Sequence, residues 1–169
     1  VEKLLRAERS ARVAYLCAME ARWPRLVVFD LDYTLWPLWV DTHVDPPLKR
    51  TQHINQVVDS TCDAHSRSGA DSHYRSTIQF RTCRATHASE ILFQLRQNNV
   101  KIGAASRTQA PSVAKQALAG LMITPPASQE PPVSALSLFD YMEIYPGSKV
   151  AHFRRLAQLS EIPFHDMRT

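Results

Sequence analysis

The feature that most constrains this chain is a short apolar run that ends at two aspartates. Residues Leu26–Phe29 follow Pro24 and lead directly into Asp30 and Asp32. A run of this length and composition is typical of a strand buried on both faces of a parallel sheet. Carboxylates at such a place are costly unless they are used or paired, and ligands of open α/β sheets bind beyond the carboxyl ends of strands. The pattern therefore predicts a buried strand that presents two carboxylates to a ligand.

Further apolar and amphipathic segments alternate along the chain after this strand. The hydropathy pattern predicts strands over 100–105 and 139–145, and helices over 86–98, 112–121 and 148–159. Strands that alternate with helices favour an α/β fold with a mainly parallel sheet.

The remaining segments are polar or lie outside this alternation. We expect irregular insertions at 50–77, which is rich in Ser and His, and at 124–134, which is rich in Pro. Residues 1–22 read as an amphipathic helical extension, so the predicted domain covers 23–169.

Composition excludes several classes of protein. The 169 residues include three cysteines, too few for a disulfide scaffold, and no run of about 20 apolar residues that could span a bilayer. Twenty basic residues against sixteen acidic ones give a net charge of +4 without any basic run. We therefore expect a cytoplasmic monomer with no membrane or nucleic-acid partner and with an anionic small ligand as the binding class.

Three more polar side chains follow the later predicted elements. Ser106 and Arg107 come directly after the strand at 100–105, and Lys149 lies in the first turn of the helix over 148–159. Each of these residues also has an explanation without any binding role: Ser106 and Arg107 could belong to an ordinary turn, and Lys149 could be a solvated surface lysine. Together they offer a hydroxyl, a guanidinium fork and a point charge to a phosphate, while the paired aspartates favour Mg²⁺, which prefers oxygen ligands.

The motifs FDLDYTLW, AASRT and IYPGSK, in that order, resemble the haloacid dehalogenase (HAD) superfamily phosphatases. The resemblance implies a HAD-type Rossmann-like three-layer sandwich with little or no cap domain. It also implies Asp30 as nucleophile and Mg²⁺ ligand. Asp32 would act as general acid and base and offer its main-chain carbonyl to Mg²⁺.

The same resemblance assigns the substrate contacts. Ser106 and Lys149 would bind the phosphoryl group, and Leu31, Trp39 and Arg107 would be further contacts. The implied substrates are a phosphoprotein carrying phosphotyrosine, or a phosphorylated small molecule such as a sugar phosphate.

The sequence also departs from that family pattern. HAD phosphatases carry a fourth motif, a pair of acidic residues after another apolar strand, whereas this sequence stops at Thr169. We therefore expect a truncated chain that lacks C-terminal strands. An alternative function is a catalytically impaired variant that only binds phosphorylated ligands or partner proteins.

Two other metal or nucleophile chemistries fit the sequence poorly. The cysteines and histidines that could suggest zinc are Cys62, Cys83, His53, His65, His73 and His87, and none has C-x-x-C or H-x₃₋₅-H spacing. A cysteine phosphatase would need a Gly-rich loop closed by an arginine, which the Cys83-Arg84 pair lacks.

Overall fold

A computed structural model describes residues 23–59, 77–79, 88–126 and 130–169. In chain order its strands are β1 (Leu26–Phe29), β2 (Lys49–Arg50), β3 (Gln56–Val58), β4 (Thr77–Gln79), β5 (Lys101–Ser106), β6 (Met122–Ile123), β7 (Val133–Ser134), β8 (Tyr141–Ile144) and β9 (Met167–Arg168). Its α-helices are α1 (Val40–His43), α2 (Ala88–Gln97), α3 (Pro111–Gly120) and α4 (Lys149–Ser160). The helix predicted over 1–22 lies outside the described residues.

A four-stranded parallel sheet in the order β8-β5-β1-β9 organises the fold. Val28 of β1 lies opposite Gly103 of β5, and Ala105 of β5 lies opposite Glu143 of β8. Because the strands are parallel, β1, β5 and β8 all end at the same edge of the sheet. The predicted α/β fold with a mainly parallel sheet is confirmed.

The two faces of the sheet are covered by two separate apolar clusters. Leu26 and Val28 point to one face, where they pack with Leu156 of α4 and with Ile162. The alternate residues of β1, with α2 and α3, join a larger cluster on the other face that includes Trp36. This alternation with a period of two produces three layers, with helices on both sides of the sheet.

The boundaries of the predicted elements differ from the observed ones by one or two residues. The strand at 26–29 is confirmed, and β5 and β8 lie within one or two residues of their predicted ranges. Helix α3 begins at Pro111, a residue suited to a first helical turn because its missing N–H has no partner there. Ser148 caps α4, where its Oγ accepts a hydrogen bond of 3.2 Å from the Ala151 N–H.

Short strands occupy places where the sequence predicted irregular structure. Strands β2, β3 and β4 form a small antiparallel sheet within and beside the segment 50–77, and β6 pairs with β7 at the end of 124–134. Strands of two or three residues carry too little periodicity for the sequence pattern to show them.

A short strand, β9, follows α4 at a place where the sequence pattern predicted none. Strand β9 pairs in parallel with the start of β1, with Met167 opposite Leu26. No helix among the described residues has the length and hydropathy needed to cross a bilayer.

Candidate active site

A cleft of about 480 Å³ opens at the edge of the sheet where β1 and β5 end. It is lined by Asp30, Asp32, Trp39, Asp41, Thr42, Ser106, Arg107, Thr108, Gln109 and Gly147. Because this edge carries the carboxyl ends of parallel strands, it is the place where open α/β sheets bind ligands.

Asp30 follows the last residue of β1 and carries a half-exposed carboxylate. Its Oδ1 lies 2.9 Å from the Lys149 Nζ and accepts a hydrogen bond of 2.9 Å from the Leu31 N–H. The Lys149 ammonium also donates to the main-chain carbonyl of Ala105 at the end of β5. The first residue of α4 is thereby joined to the ends of both central strands.

The carboxyl group of Asp32 is held by a different set of donors. Its Oδ1 accepts hydrogen bonds from the Trp36 Nε1–H at 2.7 Å and from the Val40 N–H at 3.1 Å. Burial raises the pKa of Asp32 above its ordinary value, against these two hydrogen bonds, which lower it. The neighbouring charges of Asp41 and Asp30 add to the rise, so protonation of Asp32 is favoured relative to a solvated carboxyl group.

The last residue of β5 and the loop that follows it also line the cleft. Ser106 is buried and its Oγ accepts a hydrogen bond of 3.3 Å from the Thr108 N–H, so its hydroxyl hydrogen can be donated to a ligand. Arg107 is exposed beside it. The Gln109 N–H donates to Asp41 Oδ2 at 2.9 Å, which joins this loop to α1.

That contact also influences the charge of the cleft. The Gln109 N–H lowers the pKa of Asp41 below its ordinary value, more strongly than burial raises it. The lowered pKa favours the ionised form of Asp41, so this carboxylate adds negative charge to the cleft.

Three aromatic rings form a ledge at one side of the cleft. Trp39 is 52% exposed, and the Tyr33 ring meets it edge-on with centroids 5.0 Å apart. The His43 ring stacks on Trp39 with centroids 5.7 Å apart, and its Nδ1 accepts a hydrogen bond of 3.1 Å from the Trp39 N–H. We call Tyr33, Trp39 and His43 the aromatic ledge.

Leu31 differs from the other residues that the resemblance assigned to the substrate. Its side chain is fully buried in the larger core cluster. Because the whole residue is buried, the structure does not place Leu31 at the surface of the cleft.

The structure brings most of the predicted site residues together. Asp30, Asp32, Trp39, Ser106 and Arg107 line one cleft, and Lys149 reaches it through its ion pair with Asp30.

Sequence reasoning missed other residues of this cleft, namely Asp41, Thr42, Thr108, Gln109 and Gly147. Asp41 stands only eleven residues after Asp30, so its place in the first motif was the one signal available. Gly147 adopts φ +154°, a conformation that favours glycine.

The described residues contain no cluster of three or more His, Cys, Asp or Glu side chains arranged to hold a metal ion. Of the six residues considered for zinc, only His53 belongs to the described part of the chain. The cleft instead offers carboxylate and carbonyl oxygens beside an ammonium, a guanidinium and a hydroxyl. The ammonium, guanidinium and hydroxyl groups are donors that suit a tetrahedral oxyanion.

The chain is similar in sequence to known phosphatases. The acid phosphatase family profile matches residues 22–168. A HAD-like hydrolase superfamily protein of Schizosaccharomyces pombe is 37% identical over 145 residues, which cover 86% of this chain and 73% of that protein. Magnesium-dependent phosphatase 1 of Homo sapiens is 39% identical over 150 residues, which cover 87% of this chain and 66% of that protein.

One solved structure is also similar. It is a phosphatase domain of a Bacteroides fragilis protein in complex with Mg, 14% identical with a TM-score of 0.49, and the match covers 90% of this chain and 31% of that one. The sequence matches to the curated relatives and to the profile span most of this chain and about two thirds of the human relative. The chain therefore belongs to the acid phosphatase family of HAD-like hydrolases.

Proposed function

We propose that this chain is a Mg²⁺-dependent phosphomonoesterase that works through an aspartyl-phosphate on Asp30. The observation that carries the proposal is the position of Asp30, which lies at the end of a buried strand, half exposed in a cleft and 2.9 Å from the Lys149 ammonium. A carboxylate held there faces any anion that Lys149 attracts. Magnesium-dependent phosphatase 1, the human relative, carries the same dependence in its name.

The donor set of the cleft suits Mg²⁺. Three aspartates line the cleft, Asp30, Asp32 and Asp41, and no His or Cys is among the described residues that line it. Its metal-binding atoms are therefore oxygens. Mg²⁺ is usually bound by one or two carboxylates together with waters and substrate phosphate. The Asp30 carboxylate and the Asp32 carbonyl would hold the ion, which when bound would reduce the repulsion between the carboxylate and a phosphate dianion.

The first half of the proposed reaction transfers the phosphoryl group to the protein. The Ser106 hydroxyl and the Lys149 ammonium bind the phosphate oxygens, with the Arg107 guanidinium beside them. A carboxylate oxygen of Asp30 then attacks phosphorus and the bond from phosphorus to the ester oxygen breaks. Asp32 in its acid form gives its proton to that leaving oxygen.

The second half returns the protein to its starting state. The Asp32 carboxylate formed in the first step takes a proton from a water molecule, whose oxygen attacks phosphorus. The acyl-phosphate bond breaks, inorganic phosphate leaves, and the Asp30 carboxylate is restored. The chain carries a nucleophile, an acid and three phosphate-binding groups in one cleft, so catalysis is better supported than binding alone.

The aromatic ledge supports an aryl phosphate, such as phosphotyrosine, as the substrate. The exposed indole of Trp39, which lines the cleft and contacts the other two rings, offers an apolar surface to an aromatic leaving group. A sugar phosphate is the second candidate, because Asp41, Thr42 and Gln109 give the cleft a polar wall that could accept and donate hydrogen bonds.

The test is hydrolysis of p-nitrophenyl phosphate, phosphotyrosine and a hexose phosphate, each measured with Mg²⁺ and with EDTA. We expect turnover that requires Mg²⁺ and that falls at least about 1,000-fold in Asp30→Asn, because the amide is not a nucleophile. The aryl esters should show the higher kcat/KM.

Asp166→Asn is the matched control for Asp30→Asn. Asp166 precedes β9, and its carbonyl accepts a hydrogen bond of 2.9 Å from the Arg25 N–H beside the start of β1, at the sheet edge opposite the cleft. This variant should keep wild-type turnover. Turnover without Mg²⁺, or an Asp30→Asn variant as active as the wild type, would refute the proposal.

A further inference from the structure

His152 is a fully buried polar side chain to which the reaction proposed above gives no part. It lies in the first full turn of α4, three residues after Lys149, and none of its side chain is exposed. Leu156, four residues later on the same face of α4, is also fully buried, whereas Val150 is 59% exposed. A buried imidazole in place of an apolar side chain calls for a reason, since burying polar atoms is unfavourable unless they are bonded.

The ring makes one hydrogen bond, and that bond determines where its proton lies. Nε2 is 3.1 Å from the main-chain carbonyl oxygen of Tyr145. A carbonyl can only accept, so Nε2 carries the hydrogen and donates. Nδ1 is buried and has no hydrogen-bond partner among the described residues.

His152 thereby reaches back over the turn that precedes its own helix. The Tyr145 ring packs edge-on against the imidazole, with centroids 4.4 Å apart and planes at 87°. A Cβ added at Gly147 would lie 3.8 Å from His152 Nε2, so the turn passes close to the ring. The ring and the carbonyl together fix the path from the end of β8 to Lys149.

The main chain of the same residue, Tyr145, also connects this turn to the end of β5. The Tyr145 N–H donates a hydrogen bond of 3.1 Å to the carbonyl of Ser106. His152 on one side of Tyr145 and Ser106 on the other therefore hold a short stretch of backbone between the two phosphate-binding residues. Lys149 in turn contacts the Ala105 carbonyl and Asp30.

We propose that His152 is a positioning residue that sets Lys149 and Ser106 at their places around Asp30 through its hydrogen bond to the Tyr145 carbonyl. The inference rests on the proposed phosphatase function for its kinetic consequences. It needs no contact between His152 and substrate. Misplacing a binding group by about 1 Å costs catalysis on the order of 100-fold, so a hydrogen bond remote from the reacting atoms can matter for the rate.

The test compares side chains that keep or lose the donor. The amide nitrogen of His152→Gln can reach the place of Nε2, whereas the shorter His152→Asn cannot, and His152→Leu removes the donor while keeping the bulk. We expect kcat for p-nitrophenyl phosphate to fall about 10-fold to 100-fold in the Leu and Asn variants and to stay within about threefold of wild type in the Gln variant.

A second readout does not depend on turnover. Calorimetric titration with inorganic phosphate in the presence of Mg²⁺ should show binding weakened about tenfold in the Leu and Asn variants and preserved in Gln. If the wild type binds phosphate but hydrolyses no ester, the proposed function fails while this titration still decides the role of His152. If the Leu variant does not fold, the Gln and Asn pair gives the same comparison between polar side chains.

Ile162→Ala is the control for lost packing alone. Ile162 is buried in the cluster around α4 and has no contact with the turn among the hydrogen bonds and ring contacts of the described residues. This variant should lower Tm with kcat within about twofold of wild type. The inference is overturned if the Gln variant loses as much kcat and phosphate affinity as the Asn variant, or if the Leu variant keeps both. It is also overturned if Ile162→Ala loses as much kcat per degree of lowered Tm as the Leu and Asn variants of His152 do.

Discussion

At the scale of single residues, Asp41 shows how a side chain outside the predicted set can shape the cleft. Its carboxylate accepts the Gln109 N–H at 2.9 Å across 68 residues of sequence. That bond joins α1 to the loop that follows Ser106 and carries Arg107. A contact between segments so far apart leaves no mark in the local pattern of the sequence, so only the folded chain shows it.

The contact predicts different behaviour for two substitutions of Asp41. Asp41→Asn retains an oxygen that can accept the Gln109 N–H, whereas Asp41→Ala leaves that N–H without its acceptor. We expect kcat/KM for p-nitrophenyl phosphate to fall about tenfold in the Ala variant and clearly less in Asn, because the loop that follows Ser106 and carries Arg107 loses its attachment. Steady-state kinetics decides the matter. Equal losses in the two variants, or an Ala variant like the wild type, would show that the contact does not position the loop.

His152 shows a second limit of sequence reasoning at this scale. Lys149 was recognisable from its place in the first turn of a predicted helix, but the histidine three positions later resembled any polar residue on a helix. Its burial on the same face as Leu156 fits the helical period, but its contacts with Tyr145 and Gly147 leave no mark in that period.

At the scale of elements, Asp140 holds a helix and two strands together. It precedes β8 and its carboxylate accepts from the Ile102 N–H at 2.8 Å, from the Lys101 Nζ at 3.1 Å and from Arg96 of α2 at 3.1 Å. Burial alone would raise the pKa of Asp140, but these three donors outweigh it and lower the pKa below its ordinary value.

The lowered pKa predicts a stability that depends on pH. A carboxyl group whose pKa is lower in the folded than in the unfolded chain stabilises the fold above its unfolded pKa, about 3.9, and that contribution is lost as pH falls through the folded value. Asp140→Asn should therefore reduce the free energy of unfolding by about 1–3 kcal/mol at pH 7. The difference from wild type should shrink below about pH 4.

Urea unfolding of both proteins at pH 7 and at pH 3 measures that difference. A loss of the same size at both pH values would mean that shape and packing at this position, rather than the charge of Asp140, join the three elements.

At the scale of the whole molecule, the main sheet was predictable and the small sheets were not. Strand β1 was predictable because four apolar residues end at an aspartate, and the parallel order followed from the alternation of strands with helices. Once β1 and β5 are parallel neighbours, Asp30 and Ser106 must meet at one edge. Much of the candidate site thus follows from topology and from the residues after each strand.

The remainder depended on contacts between distant segments. Strand β9 has two residues, and it is recognisable only because it pairs with β1. The aromatic ledge depends on how α1 folds back over the loop after β1, where Tyr33 adopts φ +56°. Trp39 was assigned to the site only because the sequence resembles a family. The pattern could not show that the Tyr33 and His43 rings contact Trp39.

We propose that Asp30 becomes phosphorylated during turnover, and trapping the phosphorylated chain measures this. The protein would be mixed with Mg²⁺ and a fast aryl phosphate, quenched in acid within milliseconds, digested and analysed by mass spectrometry. We expect a phosphoryl group on Asp30 that appears only with substrate and is absent from Asp30→Asn. Steady turnover with no phosphorylated peptide, or with the phosphoryl group on another residue such as Ser106, would contradict it.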